Sequence, residues 1–387
     1  MNVAYILHST EPTDGATKAF LTMMDGLRAY GVKPFVVVPD KGELFFELSK
    51  KQIPTLVVNY RPSAYPYCHT VKQRLLFLTR LAARIFVNHK ATKAIRQFLL
   101  DNKIDIVHSN SGIIRIGFDA AQKAGIPHIC HIREYADKIG IRYFPSQASF
   151  VRQLSQPRSY SICITKAIQQ HYRQNGRDDV SRVIYDGVLS EIAVMPMADT
   201  KEYFLFAGRI QPAKGLDQLL TAFKRYVEST DKPLHLKVAG GSADKAYYNR
   251  MAKYVAENAL GDKVEFLGSR NDVAALMREA RALIVSSPFE GFGFCMPEAQ
   301  QQGCLVIGRN TSGTKEQMDN ALEMTGQEIA LRYDTTEELT KLLQEVASCP
   351  ISDYAGYTRK AFEVVNQLYT KEKHVQEVWN FYQDISR

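Results

Sequence analysis

Short apolar runs recur along the first half of the chain. They are VAYIL (Val3–Leu7), PFVVVP (Pro34–Pro39), IDIVH (Ile104–His108), PHICHI (Pro127–Ile132), YSICI (Tyr160–Ile164) and RVIY (Arg182–Tyr185). Each is brief, rich in β-branched or aromatic residues, and apolar at successive positions. Strands covered by helices on both faces of a parallel sheet have this pattern. Helical segments fill the gaps, for example 18–30 and 118–124.

The second half repeats the arrangement with YFLFAG (Tyr203–Gly208), LHLKVAG (Leu234–Gly240), VEFLG (Val264–Gly268), ALIVSS (Ala282–Ser287) and CLVIG (Cys304–Gly308). Between them, Leu216, Leu219, Leu220, Phe223 and Val227 fall at spacings of three and four, one face of a helix. Val273, Leu276, Met277 and Ala280 do the same, and the chain ends in helical stretches at 354–368 and 371–384. Alternating strand and helix predicts parallel sheets with right-handed crossovers, an α/β fold of two doubly wound, Rossmann-like domains. The expected division is 1–186, a linker at 187–202 where periodicity lapses, 203–368, and a final helix at 369–387 returning to the first domain. Ligands of such sheets bind beyond the carboxyl ends of the strands, so two facing sheets predict an interdomain cleft.

One loop at such a strand end stands out. PFEGFGFCMPEAQQQG (Pro288–Gly303) sets Glu290 and Glu298 around Gly291 and Gly293. Pro297 suits the first position of a short helix and Gly303 its stop. Glu298 then lies in the first turn, where an acceptor-only carboxylate can take both hydrogens of a ribose diol. The glycines let backbone approach a ligand, and Glu290 is placed for hydroxyls of a second sugar. An acid in a first turn is also favourable with no ligand at all, through the helix dipole. In FAGRIQPAKGLDQLL (Phe206–Leu220), Arg209 and Lys214 reach the same edge, as a diphosphate clamp or as ordinary solvated charges.

Composition narrows the choice. The 387 residues are 45% hydrophobic, enough for two cores, and no apolar run approaches the roughly 20 residues of a membrane span. The first residues, MNVAYILHSTEPTDG, read as a strand and not as a secretory signal. Six scattered cysteines without a CxxC read as buried thiols of a cytoplasmic protein. HSTEPTDGAT lacks the GxGxxG turn of a dinucleotide enzyme, and the scattered histidines do not form a metal set.

GRIQPAKG (Gly208–Gly215), followed some eighty residues later by SSPFEGFGFCMPEAQQQGCLVIG, resembles the Gly-Arg…Lys-Gly and Glu-x7-Glu elements of the GT4 retaining glycosyltransferases, which have the GT-B fold. VIYDGV (Val183–Val188) is similar to that family's interdomain Ile-Pro-Asn-Gly-Val, with Tyr185 and Asp186 in place of Pro and Asn. VEFLGSRNDV (Val264–Val273) resembles its nucleobase-side strand and loop. TSGTKE (Thr311–Glu316) stands at its Gly-Gly-x-x-Glu loop, with Ser312 for the first glycine. DGATKAF (Asp14–Phe20), DIVHSN and HIRE resemble its first glycine loop and cleft-lining strand ends.

The resemblance implies a UDP- or GDP-sugar donor, and the basic face of the 48–100 segment points to a glycan or lipid-linked acceptor, as in cell-surface polysaccharide synthesis. The resemblance also implies Arg209 and Lys214 on the diphosphate and Glu298 on the ribose. Glu290 and the amides after Gly291 (Phe292, Gly293, Phe294) would meet the sugar hydroxyls. His131 would sit at the reacting face, Gly15 near the donor and Arg270 by the base. The implied reaction is front-face transfer with the leaving phosphate deprotonating the acceptor, and with no metal or cofactor. A soluble transferase acting on a small molecule or protein, and a catalytically silent GT-B-like binding protein, are the competing readings.

The net charge is +8, and no acidic residue lies between Glu47 and Asp101, a stretch with ten lysines and arginines. Within it, Leu75, Leu78, Leu81, Ala82 and Ile85 form a stripe on a helix spanning 71–100. Such a segment is either a domain helix with a solvated basic face or a peripheral contact with anionic lipid at the inner face of a membrane. No nucleic-acid reader motif accompanies it.

Overall fold

The computed structural model describes residues 1–11, 15–68, 70–137, 140–172, 181–196 and 202–386. The chain divides into two compact units, one of Met1–Gly187 with the C-terminal helix, the other Val188–Thr370.

The first unit contains β1 (Asn2–Ile6), α1 (Gly15–Arg28), β2 (Lys33–Val38), α2 (Glu43–Lys50), β3 (Thr55–Val57), β4 (Ala64–Pro66), α3 (Val71–Asp101), β5 (Ile106–Ser109), α4 (Ile116–Ala124), β6 (His128–Ile132), β7 (Ile141–Tyr143), α5 (Gln147–Leu154), β8 (Ser159–Cys163), α6 (Lys166–Tyr172) and β9 (Ser181–Val183). Seven strands form a parallel sheet in the order β3-β2-β1-β5-β6-β8-β9, and β4 pairs antiparallel with β7 outside it.

The second unit contains β10 (Tyr203–Ala207), α7 (Leu216–Glu228), β11 (His235–Ala239), α8 (Lys245–Glu257), β12 (Val264–Gly268), α9 (Val273–Glu279), β13 (Ala282–Val285), α10 (Cys295–Gln301), β14 (Val306–Arg309), α11 (Ser312–Thr325), β15 (Leu331–Tyr333), α12 (Thr336–Ser348) and α13 (Ala355–Leu368). Its parallel sheet has the order β12-β11-β10-β13-β14-β15. The last helix, α14 (Lys371–Ser386), belongs to the first unit.

The strict alternation of β1 shows how sequence becomes layers. Val3, Tyr5 and Leu7 pack with Phe20, Met23, Met24 and Leu27 of α1 and with Val378 and Phe381 of α14. Ala4 and Ile6 face the other way, into Ile95 and Leu99 of α3 and Ala120 of α4. Period two in the strand therefore meets period 3.6 in helices on both faces.

Four three-residue strands escape the hydropathy pattern, namely β3, β4, β7 and β15. Two of these are sheet edges and two make the small ribbon. At that length neither periodicity nor an apolar run is visible. The apparent linker also differs from its pattern, because residues from Val188 dock on the second unit. Val188 N–H donates to Tyr369 O, Gln301 Nε2 to Ser190 O at 2.7 Å, and Asn366 Nδ2 to Ile192 O at 3.1 Å. Cys130, Cys163 and Cys304 are buried thiols, while Cys68, Cys295 and Cys349 are partly exposed. Among the described residues no helix is long and apolar enough to cross a membrane.

Candidate functional site

In the second unit the chain runs outward from β10 to β11 and β12, then returns to the other side of β10 as β13. The loops after β10 and β13 therefore diverge at their carboxyl ends, the position where open α/β sheets take their ligands. Both motif clusters lie there. Arg209 follows β10 and is exposed. A short 3-10 turn, Pro212–Lys214, then ends on Gly215 with φ +66°. A Cβ at Gly215 would stand 2.2 Å from Ser286 O, so this crossing admits glycine alone. Ser286 Oγ in turn donates to Lys214 O at 2.9 Å, fixing one loop to the other.

This seam brings Lys214 Nζ to Glu290 Oε1 at 2.6 Å, and Ser287 Oγ donates to the same oxygen at 2.6 Å. The Lys214 side chain is 27% exposed and that of Glu290 10%, so the pair borders solvent while resting on buried polar backbone. The loop behind it is held from α11. Gly313 N–H donates to Glu290 O, Thr311 Oγ1 to Pro288 O, and Gln317 Nε2 to Phe292 O. Glu298 sits in the first turn of α10. Cys295 registers the surrounding charge. Its thiol is pushed up to about 12 by burial and then by Glu290, with Lys214 opposing and Glu298 reinforcing.

One expected detail needs correction. Helix α10 starts at Cys295, so Pro297 is its third residue, and Glu298 N–H is already used by Phe294 O. The Phe292 ring is buried, edge-on to Tyr369 at 5.2 Å, so only its backbone can face a ligand. Gly293 holds φ +91°, a conformation that explains the second glycine by itself. Arg270 follows β12, at the far edge of the sheet, and makes a two-pronged pair with Asp272 at 2.8 and 2.6 Å. Ser312, in the glycine's place, takes φ +48°, so the chain keeps the left-handed bend and accepts its strain.

In the first unit the equivalent divergence lies between β1 and β5. Gly15 opens α1 there, and Asn110 Nδ2 donates to Ala16 O at 2.9 Å. Asp14 lies outside the described residues. His131, expected at the reacting face, is wholly buried in β6. Its Nδ1 lies 3.3 Å from Arg133 Nη2 and 3.1 Å from His108 Nε2. Arginine can only donate, so His131 Nδ1 accepts, His108 carries its proton on Nε2, and His108 Nδ1 accepts from Tyr382 OH at 2.6 Å. Burial, then Arg133, holds both histidines well below 6.5, and they are neutral near pH 7. Arg133 also pairs with the buried Asp186. The sequence does not single out Arg133 and Glu134 as site candidates, yet these are the residues that follow the strand's carboxyl end. Glu134 accepts from Ser111 Oγ at 2.8 Å, and burial pushes its carboxyl up.

Known proteins match this organisation. Residues 13–191 fit the family "Glycosyltransferase Family 4" and residues 190–358 fit "Glycosyl transferases group 1". The uncharacterized glycosyltransferase YqgM of Bacillus subtilis is 29% identical over 121 residues, 31% of this chain and 33% of that protein. The chain spans 26% to 60% of the length of the curated relatives it matches. Among solved structures, Anabaena HepE in complex with UDP-glucose superposes with a TM-score of 0.77 at 17% identity, over 99% of this chain and 100% of that one. A glycosyltransferase from Rickettsia africae gives 0.77 at 18%, over 99% and 98%. With two parallel-sheet units and family matches that together run from residue 13 to 358, the chain belongs to the GT4-like glycosyltransferases of GT-B fold.

Proposed function

We propose that the chain transfers a sugar from a nucleotide-diphosphate sugar to a hydroxyl of a glycan or lipid-linked acceptor, with retention at the anomeric carbon, in the building of a cell-surface polysaccharide. The observation that carries this reading is the Lys214–Glu290–Ser287 cluster where β10 and β13 diverge. It offers a cation and a carboxylate side by side at a strand end, with Arg209 on the same loop. Because HepE is a neighbour in complex with UDP-glucose, a UDP-sugar is the donor to test first, and a GDP-sugar second.

In this reading the bond between the anomeric carbon and the diphosphate oxygen breaks. The charge left on the diphosphate falls to Lys214 and Arg209, cations at the strand end where it develops. Glu290 accepts from hydroxyls of the sugar, and Glu298 takes the ribose diol. The acceptor oxygen attacks from the face the diphosphate leaves, and its proton passes to that leaving group. Arg133 and Glu134 occupy the strand end of the first unit, with buried His131 holding Arg133 in place from behind.

Donor titration by thermal shift with UDP, GDP, ADP and their sugars tests the site, followed by turnover. Lys214→Ala is expected to lower kcat by about 100-fold or more, as for a lost oxyanion donor. Glu298→Ala should chiefly weaken nucleotide binding, by ~1–3 kcal/mol for a charged hydrogen-bond acceptor. If both variants bind and turn over donor like the parent, the site is elsewhere. Donor binding without transfer to any glycan or lipid-linked acceptor would favour the silent binding protein.

A further inference from the structure

Helix α3 changes its apolar side midway. In its C-terminal turns Ala91, Ile95 and Leu99 are buried in the first unit's core. In its first five turns the inward positions include Phe77, Arg84 and Asn88. Phe77 packs on Tyr65 and Phe144, and Arg84 stacks over Tyr65 and donates to Ala64 O. Asn88 clasps both backbone groups of Arg61. With that face turned in, Val71, Leu75, Leu78, Ala82 and Ile85, spaced four, three, four and three apart, lie on a neighbouring face and are exposed together with Phe86. Val71 is 72% exposed, Leu75 73%, Leu78 70%, Ile85 57% and Phe86 61%. A monomer seldom leaves so many large apolar side chains bare on one helix face unless that face meets something.

The charges select the occupant. Lys72, Arg74, Lys90 and Lys93 are exposed on the flanks of this stripe or along its continuation, Arg80 is exposed elsewhere on the helix, and the chain has no acid from 48 to 100. Pairing with a second copy would bring the same cations together with no acid on the helix before Asp101 to offset them. An anionic bilayer surface supplies the missing charge, and it accepts apolar side chains below the headgroups while lysine and arginine stems reach back to them. We propose that the outward face of α3 over residues 71–86 is a docking surface for anionic lipid, with the helix lying in the headgroup layer.

The test is flotation of the full chain with vesicles of phosphatidylcholine alone and of equal parts phosphatidylcholine and phosphatidylglycerol. Each cation at the surface is worth roughly fivefold in partition, so binding to the anionic vesicles should exceed neutral binding by at least about tenfold and fall at high salt. The variant Leu75→Ser/Leu78→Ser/Ile85→Ser should lose about tenfold or more, with circular dichroism and melting unchanged because these side chains make little contact in the fold. Equal binding to both vesicles, or an unaltered triple variant, overturns the proposal. So does a dimer in sedimentation velocity that the triple variant dissolves while vesicle binding stays, since the face would then belong to a second copy. No donor is present in these experiments, so their failure leaves the transferase reading to be judged by nucleotide titration.

Discussion

Replacing Gly215 by alanine tests the seam on which the candidate site is built. At φ +66° an L-residue pays about 1–2 kcal/mol, and a stiffer unfolded chain returns ~0.4–1 kcal/mol. A second cost is specific to this position, because the new Cβ would lie 2.2 Å from Ser286 O and 2.9 Å from its carbonyl carbon. Backbone must move to relieve that, at about 1–3 kcal/mol for overpacking. The total comes to ~2–4 kcal/mol. Gly326 is the internal control. It has φ +70° in the same unit, with nothing within 4 Å of its would-be Cβ, and should cost only ~1 kcal/mol as alanine. By calorimetry, Gly215→Ala should lower the Tm of the second unit by roughly 5–15 °C, at ~2–4 °C per kcal/mol for a domain of this size. Gly326→Ala should lower it by a few degrees. Gly215→Ala should also abolish the UDP-induced shift, since Lys214 and Ser286 move together, while Gly326→Ala keeps it. If the two variants melt within about 1 °C of each other, the close crossing is not what demands glycine, and the geometry argued for Lys214 fails with it.

Acid should weaken the first unit in a defined window. His108, His131 and His374 are held below 6.5 by burial, and His128 is lowered to about 3. Unfolded histidines bind protons as pH falls through ~6.5 and these folded ones do not, so stability is full above that pH and declines below it, by up to ~1.4 kcal/mol per pH unit for each histidine. Its Tm should be level from about pH 7 to 8 and fall steadily toward pH 5, and a level curve through pH 5 would contradict the buried neutral network. Ser312→Gly removes the strain of φ +48° and loosens the unfolded chain, for a net gain of ~0–1 kcal/mol. A loss above ~1 kcal/mol on thermal melting would show that the Ser312 hydroxyl holds the loop, not its backbone bend.

The sequence by itself carried the layered α/β architecture. Strands covered on both faces must be apolar throughout, and amphipathic helices must repeat at 3.6, so both signals survive without a partner in view. It also singled out Arg209, Lys214, Glu290 and Glu298 as candidates, because charge and glycine at a strand end are not what packing asks for. The three-residue edge strands β3 and β15 gave no such signal.

What only tertiary structure decided was which polar groups share a wall. Lys214 and Glu290 are 76 positions apart and meet because β10 and β13 are neighbours in the sheet. His131 read as a reactive group, and the sheet buried it, since side chains alternate along a strand and only those at its end escape the helices that cover it. The apolar stripe of α3 was visible as a pattern, but whether it faced inward depended on Phe77, Arg84 and Asn88 claiming the inward side. That choice is made by contacts with distant segments, which no local window contains.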